Sequence, residues 1–127
     1  GFHQYEISNW SKDNLECKHN LNFWSYQDYI GFGAGAYSRV NGIKSSNPEN
    51  IQKYIHGEWD VDVDKLSPKQ KVIERIVLGL RLSNGIEYER KIFLEKYMTI
   101  SPENKMRLND MGKDFYNEVV RSILLDE

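Results

Sequence analysis

Between Gly31 and Ala36 the chain reads Gly31-Phe32-Gly33-Ala34-Gly35-Ala36, a backbone almost stripped of side chains. Such a run builds no core of its own; it fits where main chain must lie close against other backbone or a bound molecule. Ile30 to Val40 is therefore expected to be a strand or strand-loop packed tightly on its neighbours. A dense set of rings accompanies it: Tyr5, Trp10, Phe23, Trp24, Tyr26, Tyr29, Phe32 and Tyr37. Rings at this density build either plain core or the flat apolar wall of a ligand pocket, and both readings stand.

The rest of the chain reads as a mixture of short strands and helices. Tyr5 to Trp10 alternates apolar and polar residues and is expected to be a strand, followed by turn chemistry at Ser11-Lys12-Asp13-Asn14. Phe23 to Ile30 is a candidate short helix. Asn47-Pro48 predicts a helix with Asn47 as N-cap, with Ile51, Tyr54 and Ile55 buried and Gly57 as its stop. Trp59 to Lys65 alternates Val with Asp and reads as an extended connector. Ser67-Pro68-Lys69-Gln70 combines an N-cap, a first-turn proline and a capping-box glutamine. The helix it opens would bury Val72, Ile73, Ile76, Val77 and Leu80 and stop at Asn84-Gly85. A second helix is expected from about Glu87 to Tyr97, burying Tyr88, Ile92 and Phe93. Met98-Thr99-Ile100 and Lys105 to Leu108 flank Ser101-Pro102-Glu103-Asn104, a hairpin signal. A last helix, capped by Asn109, would carry Met111, Phe115, Val119, Val120 and Ile123 on one face. The fold class is α/β, α+β within this chain, and the order helix, helix, hairpin, helix in the second half suggests a small winged-helix-like module.

Length and charge exclude several function classes. At 127 residues the chain is one domain, or one small domain with part of another. It opens on Gly rather than Met and is expected to be the C-terminal piece of a longer protein. No apolar run approaches the roughly 18 residues of a membrane span. A single cysteine, Cys17, excludes an internal disulfide and fits a reducing, cytoplasmic setting. Winged helices often read DNA, but residues 110–127 hold two basic against five acidic side chains. An acidic helix releases no counterions from phosphates, so nucleic acid is not an expected partner.

Few side chains could carry chemistry. His19 is a competent axial ligand for haem iron when neutral, and the adjacent rings could wall a porphyrin; equally, it could cap a helix or satisfy a carbonyl. His56 at a helix end reads as a surface residue complementing the helix dipole, and His3 carries no signal. Cys17, two residues before His19, is either half of an incomplete metal pair or a partly buried free thiol. The glycine run lacks the strand-loop-helix setting of a dinucleotide site. No nucleophile, base and orienting group emerge as a set.

In order, Tyr5-Glu6-Ile7-Ser8-Asn9-Trp10, Cys17 to Trp24, Asp28 to Ser38, Asn47-Pro48, Gly79-Leu80-Arg81-Leu82 and Leu108-Asn109-Asp110-Met111-Gly112 resemble the C-terminal third of one family. It is the HemW-type haem chaperones, radical S-adenosyl-L-methionine proteins related to oxygen-independent coproporphyrinogen III oxidase. The resemblance covers essentially the whole chain. Its His-Asn-x-x-Tyr-Trp signature stands here as His19-Asn20-Leu21-Asn22-Phe23-Trp24, the ring kept and the hydroxyl lost. One hydrogen bond fewer to a propionate would weaken haem binding by about 0.5–1.5 kcal/mol. Tyr37 stands where the family's glycine-rich segment carries histidine.

The resemblance implies that residues 1–65 complete a radical-SAM barrel region and that residues 66–127 form a winged-helix-like C-terminal domain. It implies His19 as axial ligand of haem iron, Phe23 and Trp24 as porphyrin walls and Asn20 as orienting group. Ala36 and Tyr37 would line an S-adenosylmethionine pocket. A 4Fe-4S cluster and S-adenosyl-L-methionine belong to the parent, with haem and haem-acceptor proteins as partners and peripheral contact with membrane haemoproteins. With one cysteine, this chain cannot hold the cluster. The rival readings are an oxidase of porphyrin biosynthesis and a docking module whose rings are all core.

Overall fold

Local chemistry decides the best-formed turns of this molecule. In the computed structural model, which describes residues 1–58, 62–64 and 66–125, the elements follow in short succession. Strands β1 (His3–Glu6) and β2 (Asn9–Ser11) form an antiparallel hairpin, and helix α1 spans Lys18–Trp24. Strands β3 (Tyr37–Val40), β4 (Ile43–Ser46) and β5 (Asp62–Asp64) form an antiparallel sheet in that order, with helix α2 (Ile51–Ile55) between β4 and β5. Helix α3 (Pro68–Gly79) leads to β6 (Ile86–Glu87) and a 3₁₀ turn at Arg90–Ile92. Strands β7 (Met98–Ile100) and β8 (Lys105–Leu108) complete a second sheet in the order β6-β8-β7, before helices α4 (Asp110–Asp114) and α5 (Tyr116–Leu125). The fold is thus mixed, α+β, with small antiparallel sheets.

Two compact units divide the chain. Gly1–Tyr26 and Val72–Glu127 make the first, and Gln27–Lys71 the second. Within the first unit the N-terminal hairpin is stitched to the segment after α3. Ile7 N donates to Arg81 O (3.1 Å) and Ser83 N to Tyr5 O (3.0 Å), while Glu6 bridges Leu82.

The first unit has an apolar core. Leu80, Met98, Met106, Leu108, Val119 and Ile123 are buried together, and Ile73, Ile76, Ile86 and Phe93 pack around them. Alternation in β8 puts Met106 and Leu108 inward and Arg107 outward, the period of two that a half-buried strand requires. Asn109 caps α4 by accepting from Gly112 N at 2.8 Å, as its position predicts. The chain then breaks at Phe115 before α5 begins, so Met111 and Phe115 stay about half exposed rather than joining the core. Val72 is likewise exposed. The expected helix from Glu87 to Tyr97 does not form. Ile86 and Glu87 pair with Met106 and Lys105 instead, and only a 3₁₀ turn follows, its start capped by Glu89. Gly85 makes this pairing possible: at φ +68° it turns the chain so closely over β8 that a Cβ would lie 2.2 Å from Met106 O.

In the second unit Ser67 and Gln70 exchange hydrogen bonds, Ser67 N to Gln70 Oε1 at 2.9 Å and Gln70 N to Ser67 Oγ at 3.3 Å. That is the capping box the sequence predicts. The cap of α2 is Asn50, not Asn47: Asn50 Oδ1 accepts from Gln52 N and Lys53 N. Ile51 and Ile55 are exposed, and only Tyr54 of the expected stripe is half-buried. Of the expected strand from Ile30 to Val40, only Tyr37–Val40 is a strand, with an isolated bridge between Tyr29 and Arg39. The connector expected from Trp59 to Lys65 falls partly outside the described residues; within it, β5 pairs with β4. Among the described residues no helix is long and apolar enough to cross a membrane.

Candidate functional site

The segment Lys18 to Trp24 is helical, displaced upstream from the helix expected between Phe23 and Ile30. Little in its own sequence supports it. It has two turns, its N-cap Cys17 makes no side-chain cap bond, and neither a first-turn acid nor a last-turn base is present. Ser25 N returns to Leu21 O at 2.9 Å, and Tyr26 turns the chain away at φ +61°.

Helical spacing sorts the signature into two stripes. His19 and Phe23 stand one turn apart, as do Asn20 and Trp24 on the neighbouring stripe. His19 is exposed. Phe23 and Trp24 are half-buried and meet edge to face, ring centroids 4.8 Å apart at 84°. Asn20 turns inward, its Nδ2 donating to Tyr5 Oη at 3.3 Å. Cys17 is exposed rather than partly buried.

Trp24 is held by a group that sequence reasoning did not single out. The Arg81 guanidinium carbon lies 4.3 Å from the centroid of the Trp24 ring and 5.3 Å from that of Tyr116. Arg81 in turn is paired with Glu6, Nη2 to Oε2 at 3.1 Å, and donates to Ser8 Oγ at 2.9 Å. Glu6 is wholly buried, and its other oxygen accepts from Ser8 N and Asn9 Nδ2. A buried carboxylate is tolerable only when paired and hydrogen-bonded in this way. Tyr116 donates to Val77 O at 2.8 Å, and burial raises its hydroxyl above the ordinary tyrosine range, against a lowering influence from Arg81. The motif segments containing Glu6, Trp24 and Arg81 therefore meet in one polar knot. The available signal was that an acid, a base and an indole each lay in a segment already marked as distinctive.

Beside the knot, a cleft of about 410 Å³ is lined by Trp24, Val72, Arg75, Ile76, Ile86 and Tyr88 among others. The Trp24 Nε1 donor is buried and meets no acceptor among the described residues. The first unit thus has an apolar recess along the edge of the signature helix.

Ala36 and Tyr37 lie in the second unit. There Asn47 gives up the expected capping role, its Nδ2 donating to Gly33 O (2.9 Å) and Gly31 O (3.3 Å). Its backbone N donates to Ala36 O at 2.9 Å, and Gly33 N donates to Tyr54 Oη at 3.1 Å. The small-residue run is thereby a hydrogen-bonded loop lying against its own unit's backbone. Tyr37 is exposed at the start of β3, opposite Ser46. His56 Nδ1 lies 2.8 Å from Gln52 O at the end of α2, and His3 is flanked by Asp13 and Glu16. Glu16 sits below the usual carboxylate range, chiefly because its own backbone N–H bonds to it, with His3 adding to the effect.

Among the described residues no group of three or more His, Cys, Asp or Glu could hold a metal ion, and the chain has one thiol. A 4Fe-4S cluster therefore does not fit these residues.

Comparison with known proteins follows the same lines. The chain is 39% identical over 102 residues to the haem chaperone HemW of Bacillus subtilis, covering 76% of this chain and 26% of that protein. It is 30% identical over 145 residues to HemW of Buchnera aphidicola subsp. Acyrthosiphon pisum, covering 98% of this chain and 39% of the relative. With HemW of Escherichia coli it shares 50% identity over 72 residues, 49% of this chain and 19% of the relative. No family model matches the chain, and no solved structure matches it. The class is that of the haem chaperones, and the chain belongs to the HemW family, corresponding to its C-terminal part. It spans about a quarter to two-fifths of the length of the relatives that cover most of it.

Proposed function

We propose that this chain is the cargo-contacting part of a haem chaperone, which receives haem and passes it to acceptor proteins. The observation that carries the reading is the exposed His19 with Phe23 one turn further on the same helix. A neutral imidazole offers iron a lone pair, and a ring at that spacing offers the porphyrin an apolar surface. On the neighbouring stripe of the helix, Trp24 lines the cleft and Asn20 reaches Tyr5. Exposure suits a carrier, because cargo held at the surface can be handed on without unfolding.

In this reading the parent is a radical-SAM protein in the cytoplasm. Residues 1–65 end its barrel region and residues 66–127 form an appended winged-helix-like domain. Ala36 and Tyr37 border the S-adenosylmethionine site of the parent, and the cluster thiolates come from residues other than these. Acceptors include haemoproteins met at the membrane surface. The chaperone reading is preferred to the coproporphyrinogen oxidase because relatives covering most of the chain bear the chaperone name.

Titration of haem into the protein, followed by Soret absorbance, tests this reading. The expected result is saturable binding that His19→Ala weakens about tenfold or more, each tenfold corresponding to about 1.4 kcal/mol. Unchanged affinity and an unchanged Soret band in His19→Ala would remove His19 as the ligand. Turnover of coproporphyrinogen without haem binding would favour the oxidase.

A further inference from the structure

The signature helix has little support of its own. Its seven residues are too few to be stable by propensity, its N-cap side chain is idle, and none of its residues is fully buried. What fixes it lies outside it. Asn20 reaches Tyr5, Tyr26 just beyond its end donates to Glu74 at 2.9 Å, and Trp24 stacks on Arg81. Of these the Arg81 contact is the most constrained, because Tyr116 covers the guanidinium on a second side and buried Glu6 holds its Nη2. A planar guanidinium held by a carboxylate and two rings has a defined orientation that an ammonium would lack.

On a helix of roughly 3.6 residues per turn, Trp24 lies about 140° around the axis from His19. Fixing Trp24 therefore fixes the rotation of the helix, and with it the direction in which the exposed His19 faces. We propose that Arg81, anchored by Glu6, is the positioning residue of this helix and sets the presentation of His19 to the porphyrin; its bearing on haem rests on the function proposed above. Arg81 touches no cargo itself.

The chain's one cysteine supplies a probe that does not depend on haem. Cys17 is exposed and is the N-cap of the helix, so a nitroxide attached there reports the helix's motion. Arg81→Lys keeps the charge and loses the planar fork. Tyr116→Leu removes one covering ring, and Tyr116→Phe keeps that ring while deleting only the hydroxyl. The expected result is a more mobile label in Arg81→Lys and Tyr116→Leu than in the unsubstituted protein or Tyr116→Phe. Haem affinity should fall severalfold and the Soret band shift in the same two variants, with His19 intact. An unchanged label spectrum in folded Arg81→Lys would overturn the proposal. So would a mobile label with haem affinity and Soret band unaltered. Should Arg81→Lys fail to fold, Tyr116→Leu carries both readouts. If the unsubstituted protein binds no haem, the proposed function fails, while the label comparison still decides whether Arg81 orients the helix.

Discussion

The two units are stabilised in opposite ways. The first buries Leu80, Met98, Met106, Leu108, Val119 and Ile123 against one another, whereas in the second the one buried side chain among the described residues is Arg39. Arg39 donates to Gln27 O at 2.8 Å and lies 5.3 Å from the centroid of the Tyr29 ring, and its backbone exchanges both hydrogen bonds with Tyr29. Meanwhile Ile30, Phe32, Tyr37, Ile51 and Ile55 are all more than 60% exposed. Apolar burial at about 25 cal/mol/Å² is the main driving force for folding. A unit that leaves such side chains in water relies instead on backbone pairing and polar anchors. The first unit should therefore open only on global unfolding, and the second by smaller, local openings.

The largest expected effect tests the apolar core. Met106→Ala should cost about 2–5 kcal/mol in denaturant unfolding, since it empties a fully enclosed site. Arg39→Ala should cost less, about 1–3 kcal/mol, through loss of its bond to Gln27. Hydrogen exchange should show its effect at the amides of Tyr29 and Arg39 while those of β8 stay protected. Equal protection of both sets in the unsubstituted protein would erase the contrast.

A pair of glycines sharpens it. Gly85→Ala forces a Cβ into Met106 O at φ +68°, and overpacking of about 1–3 kcal/mol should add to a left-handed cost of about 1–2 kcal/mol. Gly33→Ala, at φ +107°, has open space around its Cβ and should show only the backbone cost. Thermal unfolding of the two variants measures the difference. Similar losses would mean that the second unit is packed as tightly as the first.

The smallest effect is a pH dependence confined to the first unit. The Tyr116 hydroxyl is raised by burial, so its folded value exceeds its unfolded one, about 10. Its contribution is complete below that unfolded value and is lost as pH rises through the folded value, when the bond to Val77 O disappears. Alkaline unfolding monitored by phenolate absorbance should lose this component in Tyr116→Phe.

What was legible in the sequence was local. The box at Ser67 and Gln70, the hairpin from Met98 to Leu108 and the Asn109 cap all depend on partners a few residues away, and each forms as read. The misses arose where a distant partner outbid a local preference. Asn47 had the right neighbour in Pro48, but its amide serves the carbonyls of Gly31 and Gly33. The stretch after Gly85 had a plausible helical stripe, yet β8 offered Ile86 and Glu87 a ladder. At the site, the segment from His19 to Trp24 was visible as a motif. The contact of Trp24 with Arg81 was not, since no spacing rule connects residues so far apart in the chain.

The pairing of Glu6 with Arg81 joins groups 75 residues apart. A ribosome delivers the carboxylate long before its counter-ion, so during synthesis the first hairpin has no place to settle. Its strands can pair early, but an unmatched charge keeps them wet until Arg81 and the segment after α3 arrive. Assembly of the first unit is consequently a late event, and the region from Gln27 to Lys71 will have been made in full before the first residues reach their final setting.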